Sequence, residues 1–311
     1  MIAVENLHKE YGRQVALDDL SFTVPKGEIF GFVGPNGAGK TTTIRILATL
    51  SPADAGEATV GGIPVHESPA EVRSLIGYMP DFFGVYDRLT SGEYLEFYAA
   101  CHGVARRKRP AVARELLELV DLSDRRDEPV DSLSRGMKQR LGLARALVHD
   151  PSVLLLDEPA SGLDPRARVE MKELIRELSR MGKTILISSH ILPELEELCT
   201  WVGFIDGGRM AAAGPIGQVR DVVAGGRRLR VELADGSDEE LARAEEILRA
   251  VAGVVAITRR PGHLEVAITE SVVDDDLLAL LVERKVRVRS FAIIPGDLSE
   301  VFMRLTSDPR S

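Results

Sequence analysis

The stretch GPNGAGKT, Gly34 to Thr41, follows the apolar segment GEIFGFVG (27–34) and precedes TTTIRILATL (41–50). The apolar segment predicts a buried strand and the later one predicts a helix, so the glycine-rich turn joins a strand to a helix. In that context the pattern G-x-x-x-x-G-K-T binds phosphate. The sequence therefore predicts an α/β domain with a phosphate loop, against the alternative of an ordinary glycine-rich turn.

The residue types in this loop suit a nucleoside triphosphate. Glycines let backbone N–H groups close around phosphates, Lys40 adds a positive charge at the β and γ groups, and the Thr41 hydroxyl can ligate Mg²⁺. The residues of the loop that we predict to bind ATP are Gly34, Pro35, Asn36, Gly37, Ala38, Gly39, Lys40, Thr41 and Thr42.

A pair of adjacent carboxylates follows a second apolar segment, VLLLDEP (153–159). We expect Asp157 to hold the magnesium shell, directly or through water. Glu158 can polarise an attacking water. The alternative is that the acidic pair only caps the turn after a strand. A third apolar segment, KTILISSH (183–190), completes the almost continuous hydrophobic runs that are typical of a parallel sheet covered on both faces.

The stretch DSLSRGMKQR (131–140) has the pattern of an anion site at a helix start. Ser134 and Gly136 stand where the helix begins, and basic and amide side chains follow them. The phosphate loop lies almost a hundred residues upstream, so the stretch does not belong to that loop. As an alternative, Ser134 is a simple helix N-cap.

These motifs occur in the order that is found in the ATP-binding cassette (ABC) family, which the chain resembles over residues 1–215. LSRGMKQR precedes VLLLDEP, and SGLD (161–164) and His190 follow. The family's signature usually reads Leu-Ser-Gly-Gly-Gln. Here Arg135 replaces a glycine and Met137 replaces the glutamine, whereas Ser134 and Gly136 are retained.

The resemblance implies how the signature is used. In this family two cassettes pair head to tail, and each signature faces the γ-phosphate held by the phosphate loop of the other. We therefore expect a homodimer in which Ser134 and Gly136 contact the partner's ATP. The resemblance also implies ATP and Mg²⁺ as cofactors and a separate transmembrane permease as partner.

Three further residues receive a role from the resemblance. Tyr11 resembles the aromatic residue that stacks on adenine, although a single tyrosine is often a packing residue. His190 resembles the histidine that contacts the γ-phosphate, and its alternative is a hydrogen-bonded core histidine. Asp164 resembles the acidic residue through which the cassettes communicate, but GLDP is also a good turn sequence.

Asp81 departs from the family pattern. After IGYMP (76–80) the family normally has a glutamine that touches magnesium and relays the nucleotide state to the membrane partner. Aspartate can accept a hydrogen bond from water or approach Mg²⁺, but it lacks the amide donor. A metal role and a simple turn role for Asp81 both stay open.

The remainder of the chain predicts a second, α+β domain. Alternating strands in RRLRVEL (227–233), VVAITRR (254–260), HLEVAI (263–268) and VRVRSF (286–291) combine with two helices, 238–251 and 273–284, in the order β-α-β-β-α-β. That order is the ferredoxin-like arrangement. We predict a cassette domain over 1–219, with a helical subdomain at about 82–150, and an accessory domain over 220–311 that ends in a helix, GDLSEVFMRLT (296–306).

Composition limits the classes of function. The chain has 311 residues, 44% hydrophobic and 28% charged, which is ordinary for globular domains. No apolar run approaches the ~18 residues of a membrane span, and we recognise no secretory signal. Two cysteines, Cys101 and Cys199, are predicted to be packing residues. A net charge of −9 opposes nucleic-acid binding.

The function that the sequence predicts is the ATPase subunit of an ABC exporter of the multidrug and antibiotic branch. It would be cytoplasmic and held at the inner face of the membrane by its permease. DFFGVYDRLTSGEYLEFY (81–98) is the expected docking segment, with subdomain core as its alternative. One alternative function is a soluble cassette ATPase of translation or DNA repair. A small-molecule phosphotransferase would leave LSRGMKQR unexplained.

Overall fold

The computed structural model describes residues 1–81, 88–223, 227–269 and 272–294. It divides the chain into two units, Met1–Pro215 and Ile216–Ser311. The helix predicted for 296–306 lies outside the described residues, as do residues 82–87 of the segment expected to dock a permease.

The first unit alternates strands and helices along the chain. Short turns and loops connect its elements, which are β1 (Ile2–Tyr11), β2 (Gln14–Val24), β3 (Ile29–Val33), α1 (Lys40–Leu47), β4 (Ala55–Val60), β5 (Ile63–Pro64), α2 (Pro69–Leu75), β6 (Ile76–Met79), α3 (Ser91–Cys101), α4 (Arg109–Leu119), α5 (Arg135–Ala146), β7 (Val153–Asp157), α6 (Pro165–Arg180), β8 (Thr184–Ser189), α7 (Leu192–Leu198), β9 (Trp201–Asp206) and β10 (Arg209–Pro215).

A six-stranded sheet forms the centre of this unit, with the order β10-β9-β3-β8-β7-β6. Every residue of β3, β7 and β8 is buried, as the continuous apolar runs predict for central parallel strands. The pairs β3–β8, β3–β9, β7–β8 and β6–β7 are parallel, and only β10 runs antiparallel to its neighbour β9. The α/β prediction is confirmed.

A four-stranded antiparallel sheet, β2-β1-β4-β5, packs against the central sheet. The two sheets share one hydrophobic core with α1, in which Phe22, Phe30 and Phe32 form a cluster of stacked rings. Because this core surrounds α1, it fixes the helix that follows the phosphate loop.

Helices α3, α4 and α5 build a separate apolar cluster with Tyr94, Leu117 and Leu141 in its interior. Thr90 caps α3: its hydroxyl accepts from the amide of Glu93, and the Glu93 carboxylate accepts from the Thr90 amide. These reciprocal bonds form a capping box, for which the sequence TSGE has the pattern. Helix α5 begins at the signature stretch, so this cluster fixes where Ser134 and Gly136 lie.

The second unit begins with α8 (Ile216–Val223). The βαββαβ arrangement predicted from alternating apolar positions is confirmed by the order of the elements that follow, which are β11 (Arg227–Leu233), α9 (Asp238–Arg249), β12 (Val254–Arg260), β13 (His263–Ile268), α10 (Asp274–Glu283) and β14 (Val288–Ile294). The sheet is antiparallel with the order β12-β13-β11-β14. The unit has a core of its own, to which Leu229, Leu241, Leu264 and Leu277 contribute.

Two predicted boundaries are wrong for the same reason. Helix α1 ends at Leu47 rather than Leu50, because Thr49 takes a left-handed conformation with φ +61° and the Leu50 amide donates back to the Arg45 carbonyl. Strand β14 begins at Val288 rather than Val286, because the Val286 amide donates to Leu281 at the end of α10. In both places, the turn that ends the helix contains residues that the pattern had assigned to a longer helix or to the next strand.

Of the two cysteines, Cys199 is buried as predicted, whereas Cys101 is exposed at the end of α3 and its packing prediction is wrong. Among the described residues, no helix has the length and hydrophobicity that crossing a membrane requires.

Candidate nucleotide site

The parallel strands explain why distant motifs meet. Strands β3, β7, β8 and β6 all point the same way, so the residues after their carboxyl ends share one edge of the sheet. That edge is where open α/β sheets bind ligands. The phosphate loop follows β3, Glu158 follows β7, His190 follows β8 and Asp81 follows β6.

The phosphate loop is a backbone cradle at the start of α1. Gly37 and Gly39 have φ values of +83° and +110°, a left-handed region that glycine occupies without strain. The Lys40 ammonium donates to the carbonyls of Gly34 and Pro35, at 2.6 and 3.1 Å. Burial lowers the pKa of Lys40, and the charges of Glu158 and Asp157 act against that shift.

Asp157 is buried at the end of β7, and a hydrogen bond connects it to the neighbouring strand β8. Its Oδ1 accepts from the Thr41 hydroxyl at 3.2 Å and from the Ser188 hydroxyl at 2.7 Å. A hydroxyl and a carboxylate that already touch are a pair of hard oxygen ligands of the kind that Mg²⁺ prefers. The predicted partners Thr41 and Asp157 therefore lie together.

Glu158 has an unusual backbone. Its φ of +51° is left-handed, which costs free energy in a residue other than glycine and clusters at functional sites. The Glu158 amide donates to the Ser188 hydroxyl at 3.0 Å, which holds this conformation. The carboxylate contacts His190 and Lys40.

The Glu158 carboxylate lies between the His190 ring and the Lys40 ammonium. Its Oε2 is 2.9 Å from Nδ1 of His190, and its Oε1 is 3.9 Å from Nζ of Lys40. Burial raises the pKa of Glu158, and the charge and hydrogen bond of His190 and the charge of Lys40 oppose that rise. A carboxylate with a raised pKa in a cleft suits a general base.

A cleft of about 400 Å³ opens over these groups. The predicted residues Tyr11, Asp81 and His190 line it, and Tyr11 is half exposed, with the Lys9 ammonium 5.5 Å from its ring centre. The complete lining is Tyr11, Gln14, Ala16, Asn36, Gly37, Gly39, Lys40, Thr41, Thr42, Asp81, Glu158, Ser161 and His190. A ring at the edge of a cleft is well placed for stacking on a base.

Other predicted residues do not line the cleft. Gly34, Pro35 and Ala38 belong to the loop's own backbone turn, where the Ala38 amide donates to the Pro35 carbonyl. Asp157 lies beneath the cleft, bonded to Thr41.

The signature residues lie at a different surface. Ser134 caps α5 by accepting from the Met137 amide at 3.3 Å, and Asp164 caps α6 by accepting from the Ala167 amide at 3.0 Å. Gly136 lies where the two helices approach, because an added Cβ would be 3.0 Å from Cβ of Ala167. The two helix starts are therefore neighbours, and none of Ser134, Gly136 and Asp164 lines the cleft.

Gln14, Ala16 and Ser161 line the cleft and were not predicted, and two further unpredicted residues support the site through hydrogen bonds. Ser188 bonds both Asp157 and Glu158, and a polar residue inside the apolar run TILISS was the available signal. Gln139 on α5 donates to the Asp81 carbonyl at 3.5 Å, and no sequence signal identifies that contact.

Fold and site together define a P-loop ATPase. Residues 17–161 match the ABC transporter family, and residues 214–306 match the family described as ATP-binding protein DrrA1-3-like, C-terminal domain. The chain belongs to the ABC transporter family and is one of its ATP-binding, ATP-hydrolysing subunits.

Curated relatives and solved structures agree with this membership. The chain is 33% identical over 309 residues to the linearmycin resistance ATP-binding protein LnrL of Bacillus subtilis, covering 98% of each protein. It is 43% identical over 213 residues to the Nod factor export ATP-binding protein I of Burkholderia lata, covering 68% of this chain and 70% of the relative. A structure of an ATP-binding subunit of an ABC transporter matches with a TM-score of 0.65 and 31% identity, over 71% of this chain and 92% of the other. These relatives do not favour a soluble ATPase of translation or DNA repair.

Proposed function

We propose that the chain drives an exporter. The names of two relatives, one a resistance protein and one an export protein, support this direction of transport. The substrate path would lie in a separate permease, and the chain would work in the cytoplasm at the inner face of the membrane. In this proposal residues 1–219 carry the catalysis and residues 220–311 have a regulatory or dimer-supporting role.

The cleft is proposed to hold ATP with Mg²⁺. Tyr11 stacks on the adenine, the backbone of residues 34–42 surrounds the phosphates, and Thr41 and Asp157 hold the metal with Asp81 nearby. When bound, the ion neutralises charge on the β- and γ-phosphate oxygens. The fit of this site to Mg²⁺ rests on the contact of 3.2 Å between the Thr41 hydroxyl and the Asp157 carboxylate, since two oxygen ligands already lie side by side there.

Glu158 is proposed to act as the general base. A base must reach the attacking water while remaining ionised at neutral pH. His190 and Lys40 favour the ionised carboxylate, and burial keeps the pKa above the ordinary glutamate range. Because Nδ1 of His190 binds Glu158, its other ring nitrogen is free to face the γ-phosphate, the role that the family resemblance implies.

The proposed assembly rests on one observation, which is that the signature residues lie apart from the cleft. Ser161 lines the cleft, whereas Ser134 and Gly136 do not, although both are among the described residues. A signature that binds phosphate must then serve the ATP of another subunit. We propose a head-to-tail homodimer with two composite sites, each using Lys40 of one subunit and Ser134 and Gly136 of the other.

Mixing two inactive variants tests this assembly. Lys40→Ala and Ser134→Arg should each leave both sites of a homodimer with one lesion, and each should hydrolyse ATP near background. In the mixed dimer both lesions fall in one composite site, and the second site is wholly wild type. The mixture should therefore regain measurable ATPase activity, limited by the yield of mixed dimer.

Ser132→Arg is the matched control, because Ser132 is exposed two residues before Ser134 and its hydroxyl donates to the Pro129 carbonyl. This variant should retain activity without mixing. If subunits exchange and the mixture of the Lys40 and Ser134 variants stays as inactive as its components, each subunit completes its own site and the shared-site proposal is wrong.

The permease is proposed to dock on the segment 81–98, which includes most of α3. In the described part of the docking segment, Tyr94 is fully buried and belongs to the subdomain core, whereas Phe97 is 42% exposed. Phe97→Ser should therefore release the chain from membranes that contain the permease without changing its basal ATPase rate. Sedimentation with those membranes, compared with the equivalent change at the exposed Leu50, measures this release.

A further inference from the structure

The guanidinium of Arg135 lies directly on the backbone of Gly162. A Cβ atom added to Gly162 would be 2.4 Å from Cζ of Arg135 and 2.5 and 2.6 Å from its two terminal nitrogens. Nearly equal distances to these three atoms mean that the Cα–H of Gly162 meets the flat face of the guanidinium. Gly162 also has φ +65°, so both its conformation and this contact exclude a larger residue.

This guanidinium has hydrogen-bond donors that the subunit does not use. Within the described parts of the chain, no group accepts a hydrogen bond from Arg135 and no carboxylate lies in ion-pair distance of it. The nearby Asp164 carboxylate instead accepts from the Ala167 amide. Arg135 is exposed and occupies the first position of α5, where the helix dipole disfavours a cation.

The position of Arg135 separates it from its own cleft. The segment 158–164 lies between them, since Glu158 and Ser161 line the cleft while Gly162 contacts Arg135. An anion that neutralises Arg135 would therefore approach from outside the subunit. A planar guanidinium presents paired N–H groups that match phosphate oxygens, and its orientation is already fixed by Gly162.

We infer that Arg135 binds the polyphosphate of the ATP held by a second copy of this chain, with Gly162 as the surface that orients it. The inference rests on the shared-site proposal and adds a cation to it, because the usual signature of the family has glycine at this position. Arg135 thus supplies to the composite site a positive charge that Ser134 and Gly136 do not.

The test measures ATP-driven dimerisation of the full-length chain in the Glu158→Gln background, in which bound ATP persists. The measured quantity is the ATP concentration at half-maximal dimer, from sedimentation at fixed protein concentration. Arg135→Met should raise it about tenfold to a hundredfold, the scale of charge-assisted hydrogen bonds. Arg135→Lys should recover only part of the loss, because an ammonium lacks the planar pair of donors.

Arg166→Met is the matched control, since Arg166 is the second residue of α6 and, among the described residues, pairs with Glu170 alone. It should leave the ATP requirement unchanged. Gly162→Ala should weaken dimerisation more when Arg135 is present than in the Arg135→Gly background, where only the strain of a left-handed alanine remains. That dependence separates orientation by Gly162 from a general effect of the substitution on the loop.

Ser134→Arg distinguishes this inference from the proposal on which it rests. If Ser134→Arg blocks dimerisation while Arg135→Met dimerises at the control concentration of ATP, the shared site stands and the role of Arg135 is overturned. If Ser134→Arg dimerises normally, the shared site is wrong and the inference fails with it. Melting temperatures that match the control show that a change in dimerisation does not come from unfolding.

Discussion

Nδ1 of His190 lies 2.9 Å from Oε2 of Glu158, so two residues that follow different strands share one hydrogen bond at the floor of the cleft. The other oxygen of Glu158 faces Lys40 at 3.9 Å. One carboxylate oxygen thus has a hydrogen bond and the other an ion pair, and both extend from a residue with a left-handed backbone. The carboxylate is thereby held in one orientation for proton transfer.

Glu158→Gln should retain ATP binding and lose hydrolysis by about 10²- to 10⁴-fold, the usual effect of removing a general base. Glutamine keeps the size of the side chain but cannot accept a proton from water. Nucleotide binding by fluorescence and phosphate release measure the two parts separately. Glu173→Gln, an exposed change on α6, is the control. Hydrolysis at the wild-type rate in Glu158→Gln would contradict the assignment.

His190→Ala should move the acidic limb of the pH–rate profile to higher pH. Burial raises the pKa of Glu158, and His190 is the largest influence that lowers it. Without His190 the carboxylate takes up a proton at a higher pH, and the fraction of ionised base falls earlier as the pH decreases. The profile at saturating ATP measures this, with the exposed His66→Ala as control. An acidic limb that does not move would rule out this influence of His190.

The sequence was most informative where a motif follows a strand. Gly34, Asp157 and His190 each stand immediately beyond or at the end of an apolar run, and parallel strands bring such positions to one edge. Their proximity therefore follows from strand direction alone. The end of α1 and the start of β14 were less predictable, because Thr49 and Lys285 adopt left-handed conformations that neither residue type favours.

Contacts between remote residues could not be predicted in the same way. Ser188 reaches Asp157 and Glu158 only because β8 pairs with β7 in one particular register, in which Ser188 is opposite Asp157. Arg135 meets Gly162 because α5 and α6 begin side by side, with Gly136 permitting the approach. A single sequence contains the residues of such contacts but not the packing that joins them.

Asp81→Gln should keep most of the ATPase activity, whereas Asp81→Ala should lower it about tenfold, the effect of losing one hydrogen bond or water contact in the transition state. Asp81 lines the cleft, and its carbonyl is held by Gln139. Steady-state hydrolysis of both variants, beside the exposed Asp124→Ala, measures the effect. Wild-type activity in Asp81→Ala, with and without the permease, would leave Asp81 as a turn residue only.

His149 should make the fold sensitive to mild acid. Its Nε2 bonds the Ile76 carbonyl at 2.9 Å, its Nδ1 is buried without a partner in the described residues, and its ring stacks on His102 at 3.9 Å. Burial, and then the charge of His102, lower the pKa of His149, although Asp150 opposes the shift. Burial and Arg145 lower the pKa of His102.

A lowered pKa means that the unfolded chain takes up a proton more readily than the folded chain. The free energy of unfolding is therefore undiminished above the ordinary histidine pKa of about 6.5 and falls as the pH decreases below it. Denaturant titrations across this range should show a shallower decline for His149→Gln than for the wild type. The same decline in both proteins would contradict the prediction.

A chain that ends at Pro215 should bind ATP as the full chain does. The catalytic groups and the buried residues of the core around α1 lie within residues 2–205, and the described core of the second unit lies within residues 229–291. A chain that ends between β10 and α8 therefore keeps every buried residue of the core around α1 and loses the separate core of the second unit as a whole. Equilibrium ATP binding, with circular dichroism to confirm folding, measures the outcome.

If the shortened chain fails to fold, cleavage of the full chain at an engineered site after Pro215 supplies the same comparison. ATP-driven dimerisation should change instead, since the second unit is proposed to support the dimer. Lost nucleotide binding in a folded chain of residues 1–215 would mean that the second unit contributes to the cleft itself.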